Sequence, residues 1–472
     1  MWIALLASSM VDSAAAGAPA AQAYDAVTIQ LLDRLTFGAT SEDADRLQAM
    51  GVKPWLDRQL DPSAPAPLPQ PAQAQIDALQ ISQKPITELV ADMAAKNKAL
   101  SQIQDPDLKR GASQVYQQSL NDLAKQAAVR QILRDLYSPM QLRERMTWFW
   151  FNHFNVNQHK ADIRAMIGDY EERAIRANAL GRFRDLLEAT MKHPAMLRYL
   201  DNAQNAAGHI NENYAREIME LHTMGVGSGY TQHDVEELAR ILTGIGIDVA
   251  PENPHLKPEL ENQLVRERLF EFNPARHDYG DKVFLGHEIK GSGFAEVSEA
   301  LDILARQPAT ARHISREIAT YFVSDDPPKP LVDKMTDAFL HSDGNIAAVL
   351  RAMVQTPEFS AAQPGKFKDP VRYVLSAVRL AYGDKVILNT GPIQGWLNRM
   401  AEGLYNHETP DGYPMVSSSW NGPGQLAVRF EIARQIGGGS SGLFKPDEPV
   451  GSIIQPFRSS KTRSISQICA RR

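Results

Sequence analysis

The chain has 472 residues, 43% hydrophobic and 22% charged, which is ordinary for a globular protein and enough for a large core. Its 50 Lys and Arg against 56 Asp and Glu leave a formal net charge of −6. That excludes a general nucleic-acid binder, because no overall basic surface is available to neutralise phosphates. The only cysteine, Cys469, excludes an intrachain disulfide and is compatible with either redox compartment.

Residues 1–23 hold a short apolar run, Trp2 to Leu6, then small residues ending in Ala21-Gln22-Ala23. This is the pattern of a secretory signal cleaved after Ala23, without its basic n-region; the competing reading is a disordered Ala-rich arm. The expectation is therefore an exported protein, periplasmic or extracellular, with no integral membrane segment. From Val27, two or three short helices are expected, with Ser41 as an N-cap, Glu42 and Asp43 in the first turn and Gly51 as the stop. Residues 60–74, rich in Pro and Ala, read as an extended surface connection. Residues 76–136 read as two long helices interrupted near Asp105-Pro106, scaffold without chemistry.

Residues 143–156 read as a helix of a different kind. Trp148, Phe149, Trp150, Phe151 and Phe154 surround Asn152 and His153, and aromatic residues on all sides mean burial. Asn152 and His153 must then find hydrogen-bond partners or leave costly unsatisfied groups. His153 is either a structural histidine held by a carbonyl or carboxylate, or a ligand or general base lining a pocket. His193-Pro194 should open a helix, with Asn202 and Asn205 as candidates for a polar rim.

Residues 211–246 read as two helices joined by a turn at Gly225, Gly227 and Gly229. In the first, Tyr214, Ile218 and Leu221 make an apolar stripe, with Asn213, Glu217 and Glu220 on an adjacent face. Thr231 with Asp234 three residues on gives the second a capping-box-like start. The two glutamates either pair with arginines such as Arg216 and Arg240, or share a proton or a metal, because like charges in a semi-buried place raise one pKa. Beyond Gly246, KVFLG and HEIKG are expected to pair as a hairpin around Gly286-His287. The preceding loop carries Arg276, His277 and Asp278, a group that either completes a site over the helical body or is simply solvent-exposed. Residues 294–382 return to helices, where Arg312, Arg316 and Glu317 read as an ion-paired face and His313 as a residue able to turn inward. In the loop after the helix that begins near Gly391, Tyr413, Pro414 and Trp420 form an aromatic wall that either closes a pocket or covers the core. The last segment, 437–472, ends basic and reads as a poorly ordered tail behind a single helical body over 24–436.

Several chemistries fail on spacing. No H-E-x-x-H or phosphate-cradling G-x-x-x-x-G-K-[ST] is present, and the glycine motifs within 437–442 have no strand before or helix after them. The Glu252 to His255 spacing spans Pro254, which rules out a di-iron-type helical pair, while a mononuclear site built from one Glu and histidines of separate helices stays open.

The run ENYAREIMELHTMGV followed by YTQHDVEELARILTG resembles the signature of a bacterial family designated DUF family number 1800. Four further segments, 31–40, 143–156, 272–286 and 308–323, are similar to the same family in the same order. The resemblance implies an all-α fold, a large multi-helix single body with a small β-hairpin insertion, mostly in exported proteins. It places Asn152 and His153 inside an NHF motif and suggests, as a partner, a sulfatase-like exported family designated DUF number 1501. Two functions are carried forward. The first is a hydrolase-type enzyme whose pocket forms where the 143–156 helix meets the 211–225 helix. There Glu217 or Glu220 is the general base, His153 or His222 the acid or ligand, and Arg216 orients the carboxylates. Asn152, Asn213, Trp148, His277 and Asp278 make up the substrate-facing set, with metal and cofactor unassigned. The second is a non-catalytic exported binding or accessory protein.

Overall fold

A computed structural model describes residues 24–249, 254–361, 366–383, 385–439 and 442–444. The expected signal segment and nearly all of the expected tail lie outside these residues. What is described is overwhelmingly helical, with two small antiparallel sheets between residues 245 and 289. No helix among the described residues is long and apolar enough to cross a membrane.

The N-terminal helices Ala26–Leu35, Ser41–Met50 and Val52–Gln59 follow the expected punctuation with one shift. The cap of the second is Thr40, whose hydroxyl accepts from the Asp43 amide, so Ser41 is already helical. The connection thought to run to residue 74 is shorter, because Gln70–Asp77 is a helix with Pro71 in its first turn, where a missing N–H costs nothing. Two short helices, Gln70–Asp77 and Gln80–Gln83, precede the pair Ile86–Ser101 and Pro106–Tyr137. The second of that pair starts where Asp105 accepts from the Asp107 and Leu108 amides.

The helix Gln141–His153 runs through the middle of the core, every residue of it buried except Arg143. Burying Phe149 and Phe151 contributes about 1.5–3 kcal/mol each. The polar side chains on this helix are tied to distant segments. The Trp150 indole donates to the Ala179 carbonyl at 3.0 Å, and Glu144 takes a two-pronged bond from Arg176 at 2.8 and 2.7 Å. Arg145 is fully buried and has no ion pair among the described residues. Its guanidinium donates to the Thr36 carbonyl at 2.7 Å and the Tyr321 hydroxyl at 3.1 Å, and lies over the rings of Phe37, Tyr321 and Phe322.

The hairpin forms as expected, β4 (Lys282–Phe284) against β5 (His287–Ile289), turning at Leu285 and Gly286, both with positive φ. A second sheet was not foreseen: β1 (Ile245–Ile247), β3 (Phe270–Phe272) and β2 (Val265–Glu267) pair in that spatial order. Strands of three residues are too short to show an alternating pattern. The insertion is pinned to the helix Phe294–Arg306 by Glu296, which meets Lys282 Nζ at 2.5 Å and His277 Nε2 at 2.9 Å, all three side chains fully buried. Burial alone would push the Glu296 carboxyl up, but His277, Lys282 and the Gly293 amide hold it below its usual range.

Removing one partner of such a buried cluster leaves the other charge uncompensated. Glu296→Ala is therefore expected to lower stability by about 3–5 kcal/mol, read as a lower urea midpoint. Lys282→Met should cost less, since the remaining carboxylate keeps His277 and the Ser292 and Gly293 amides.

Candidate functional site

The first helix of the 211–246 stretch is α-helical only over Asn213–Glu217 and continues as a π-helical turn over Ile218–Thr223. The wider turn is visible in the Met224 amide bonding to the Met219 carbonyl at 3.0 Å and the Thr223 hydroxyl to the Ile218 carbonyl at 2.7 Å. Such turns are rare and concentrate at functional sites. The second helix, Gln232–Ile241, opens with the expected capping box between Thr231 and Asp234.

The π turn faces the C-terminal end of the aromatic helix across a cavity of about 150 Å³. Asn152, His153 and Glu220 line it, together with His313 and Glu317 from the helix Pro308–Phe322 and Asp411 from the loop beyond residue 400. Phe149, Leu221, Val226 and Met415 supply its apolar surface.

At its centre, His153 Nδ1 lies 2.6 Å from Glu317 Oε2, and His153 Nε2 lies 3.1 Å from the His222 carbonyl. Each ring nitrogen therefore has a hydrogen-bond partner, one a carboxyl oxygen and the other a backbone carbonyl. Burial alone would raise the Glu317 carboxyl, but His153, with His313 behind it, outweighs burial and holds it below the usual carboxylate range. His313 Nε2 is 3.7 Å from the other Glu317 oxygen and 3.2 Å from the Leu221 carbonyl. Glu317 thus stands between two imidazoles. Sequence reasoning had put it on an outward ion-paired face. Its neighbours do face outward, Arg312 to Asp333 and Arg316 to Asp326. The missed signal is the i, i+4 spacing of His313 and Glu317, which lays both on one helix face. Gly225 allows this approach: its φ is +87°, and a Cβ there would sit 2.9 Å from His313 Nδ1.

Glu217 and Glu220 have no hydrogen bond or ion pair among the described residues. The arginines considered for them are engaged elsewhere. Arg216 bonds Glu212 at 3.1 Å and Gln232 at 2.8 Å, and Arg240 pairs with Glu237 and Asp278. Burial first, then Glu220 and Asp411, push the Glu217 carboxyl up, against a weaker pull from Arg216. His222 is buried with its Nε2 unpartnered, and burial followed by His153 and His313 holds it well below the usual histidine range, so it is neutral.

Other residues expected at the site are placed elsewhere or serve as supports. Asn152 spends its whole carboxamide on one backbone unit, donating to the Tyr413 carbonyl at 2.8 Å and accepting from the Tyr413 amide at 2.6 Å. Asn155 donates to the Thr409 carbonyl and Asn157 to the His407 carbonyl, so three asparagines of one segment clamp the 406–413 loop that forms a cavity wall. Gly412 completes the seat: its φ is +71°, and a Cβ there would collide with the Asn152 carbonyl oxygen. Trp148 lies behind the wall, buried and stacked on Phe151 and Tyr413, and does not line the cavity. Tyr413 and Trp420 are themselves buried, so the aromatic wall covers the core while its loop closes the pocket. Asn213 is exposed and ties back to the Leu200 carbonyl at 3.3 Å. His277 and Asp278 belong to the insertion, His277 between Glu296 and the Thr243 carbonyl and Asp278 on Arg240, which holds its carboxyl below the usual range. Asn202 and Asn205 are no polar rim; both are fully buried and donate to the backbone of the 239–245 segment.

Among the described residues no group of three or more His, Cys, Asp or Glu is placed to hold a metal ion. A larger cavity, of about 600 Å³, lies between the N-terminal helices and the helix Pro370–Tyr382. Its buried polar groups are already committed, Arg379 to Asp43 and the Leu136 carbonyl, Tyr382 to the Ile436 carbonyl. Volume alone favours that cavity, but one uncommitted carboxylate, Glu220, facing the His-held Glu317 favours the smaller one.

Two outcomes follow for the site's supports. Gly412→Ala should cost about 1–3 kcal/mol from its backbone conformation alone, with the collision added, and open the 406–413 loop to limited proteolysis. For Glu317, a carboxyl lowered in the folded state contributes stability above its unfolded value and loses it as pH falls through the folded one. Glu317→Gln should therefore flatten the acid limb of the stability curve below about pH 4.5, measured by urea unfolding against pH.

The sequence profile of a family described as "Protein of unknown function (DUF1800)" matches residues 30–471. No curated protein and no solved structure matches the chain.

Proposed function

This chain belongs to the DUF1800 family, and we propose that it is an exported hydrolase-type enzyme working by acid–base chemistry in the cavity between the aromatic helix and the π turn. The observation that carries the reading is one ionised carboxylate, Glu317, held between two histidines and sharing a small cavity with Glu220, which has no partner. One site commonly offers a base and an acid at the same pH by placing two carboxylates in different surroundings, and here Glu317 has histidine partners while Glu220 has none among the described residues. Glu317 is the base that takes a proton from an attacking water. Glu220, backed by the raised carboxyl of Glu217, delivers a proton to the leaving group. His153 is a positioning residue, since both its ring nitrogens are bonded, and Asn152 positions the loop that carries Asp411.

The test separates chemistry from structure. Glu220→Gln breaks no contact, so it should leave the melting temperature unchanged or raised while lowering kcat by about 10²–10⁴-fold, on whichever chromogenic ester, amide or glycoside the wild type turns over. The pH profile should lose activity on its acid side, below the usual carboxylate range, as Glu317 protonates. Full activity in Glu220→Gln would sink the assignment.

The second reading, an exported accessory protein docking on a sulfatase-like exported partner, is favoured by one observation. Leu380, Leu426 and Phe430 are exposed on the packed pair of helices Pro370–Tyr382 and Pro423–Gly437. Loss of partner binding in Phe430→Asp, with Glu220→Gln binding normally, would support it over the enzyme.

A further inference from the structure

The loop that walls the cavity borders a second recess, of about 200 Å³, against the helices Pro106–Tyr137 and Gly391–Arg399. Five carboxamides converge on it: Asn121, Gln158, Gln394, Asn398 and Asn406. Among the described residues no carboxylate lines it, and its one Lys or Arg is Lys125. This composition is the opposite of the acidic cavity, although one loop serves both, with Asn406 on the recess and Asp411 on the cavity.

The carboxamides are only half spent on one another. Asn406 Oδ1 accepts from Gln158 Nε2 and lies 3.2 Å from His159 Nε2, while Asn406 Nδ2 donates to Asn398 Oδ1 at 3.1 Å. Asn121 Oδ1 is taken by Arg164 at 2.6 Å, and Gln394 Nε2 donates to Thr390 at 3.0 Å. What is left over, with no hydrogen-bond partner among the described residues, is a mixed set. Asn121 Nδ2, Asn398 Nδ2 and Lys125 Nζ are free donors, and Gln158 Oε1 and Gln394 Oε1 are free acceptors. The network that fixes the used ends also orients the free ones.

A recess offering donors and acceptors side by side, without net negative charge, matches a ligand whose polar groups each donate and accept. Vicinal hydroxyls do this, whereas carboxylate and phosphate only accept and ammonium only donates. Ala124, Ala128 and Leu404 give an apolar patch for a C–H face, and the Tyr405 ring forms part of the wall while its hydroxyl is committed to Glu171 at 2.9 Å. The volume corresponds to roughly seven waters of liquid, the size of one pyranose ring. We infer that this recess is a binding subsite for a neutral monosaccharide unit, held by Asn121, Gln394 and Asn398.

Isothermal titration and saturation-transfer NMR on the whole chain test it with methyl glucoside and N-acetylglucosamine as probes, acetate and inorganic phosphate serving as anion controls. The expected result is saturable millimolar binding of at least one neutral sugar, weakened tenfold or more in Asn398→Ala and in Gln394→Ala at unchanged melting temperature. Glu220→Gln, which alters only the other cavity, should bind as the wild type does, so the subsite stands or falls independently of the hydrolase reading. Binding of the anions alone would reassign the recess to Lys125 and overturn the inference. So would the absence of saturable sugar binding by the wild type, or sugar binding that both alanine variants retain.

Discussion

A buried polar group must find a partner, and in this protein that requirement falls mainly on one helix. Gln141–His153 is enclosed on all sides, yet it carries Glu144, Arg145, Asn152 and His153 inside the core. Leaving any one unsatisfied would cost about 1–3 kcal/mol, more for a charge. Each side chain therefore recruits a segment far away in sequence. Glu144 takes Arg176, Arg145 takes the carbonyls after the first helix and the Tyr321 hydroxyl, Asn152 takes the Tyr413 backbone, and His153 takes Glu317 and the His222 carbonyl. The arrangement of the molecule around the cavity follows from these pairings.

The same requirement explains why a supporting residue and a reactive one are neighbours here. His153 fulfils its own hydrogen-bonding need on Glu317 and the His222 carbonyl, and Glu317 then faces the cavity with its second oxygen near His313. Asn152, one residue earlier, fulfils its need by seating the loop that brings Asp411 to the rim. The π turn at 218–223 sends the His222 and Leu221 carbonyls toward the two histidines and leaves Glu220 on the cavity without a cation. Burial and then the nearby Glu220 and Asp411 push the Glu217 carboxyl up. Structural economy would have neutralised them with Arg216 and Arg240, but both arginines point to other carboxylates. A cost of this sort, left in place beside a cavity, is the physical mark of a functional site.

The loop 403–415 links this cavity to the amide-lined recess. Its backbone carbonyls are held by Asn152, Asn155 and Asn157, and its side chains divide between the two places, Asp411 to one and Asn406 to the other. The three asparagines of the segment NHFNVNQ thus act as a clamp for a wall, while its His153 lines the cavity and its Gln158 the recess. The insertion with β1 to β5, in contrast, is fastened to the body by its own buried cluster of His277, Lys282 and Glu296.

Much of this was legible in the sequence because it depends on neighbours along the chain. The aromatic crowding of 148–154 announces a buried helix, Thr231 and Asp234 announce a capped start, and two apolar runs meeting near Gly286-His287 announce a hairpin, whose turn in fact falls one residue earlier at Leu285-Gly286. The sequence could not say which way Glu317 turns, because i, i+4 spacing serves an outward ion pair and an inward histidine pair equally well. Nor could it reveal the π turn, the three-residue strands β1 to β3 or the burial of Asn202 and Asn205, which are decided by pairings with other segments. Local rules set the elements and their apolar faces; only the tertiary structure decided which carboxylates would be paired and which left bare, because that choice belongs to groups that meet solely in the folded chain.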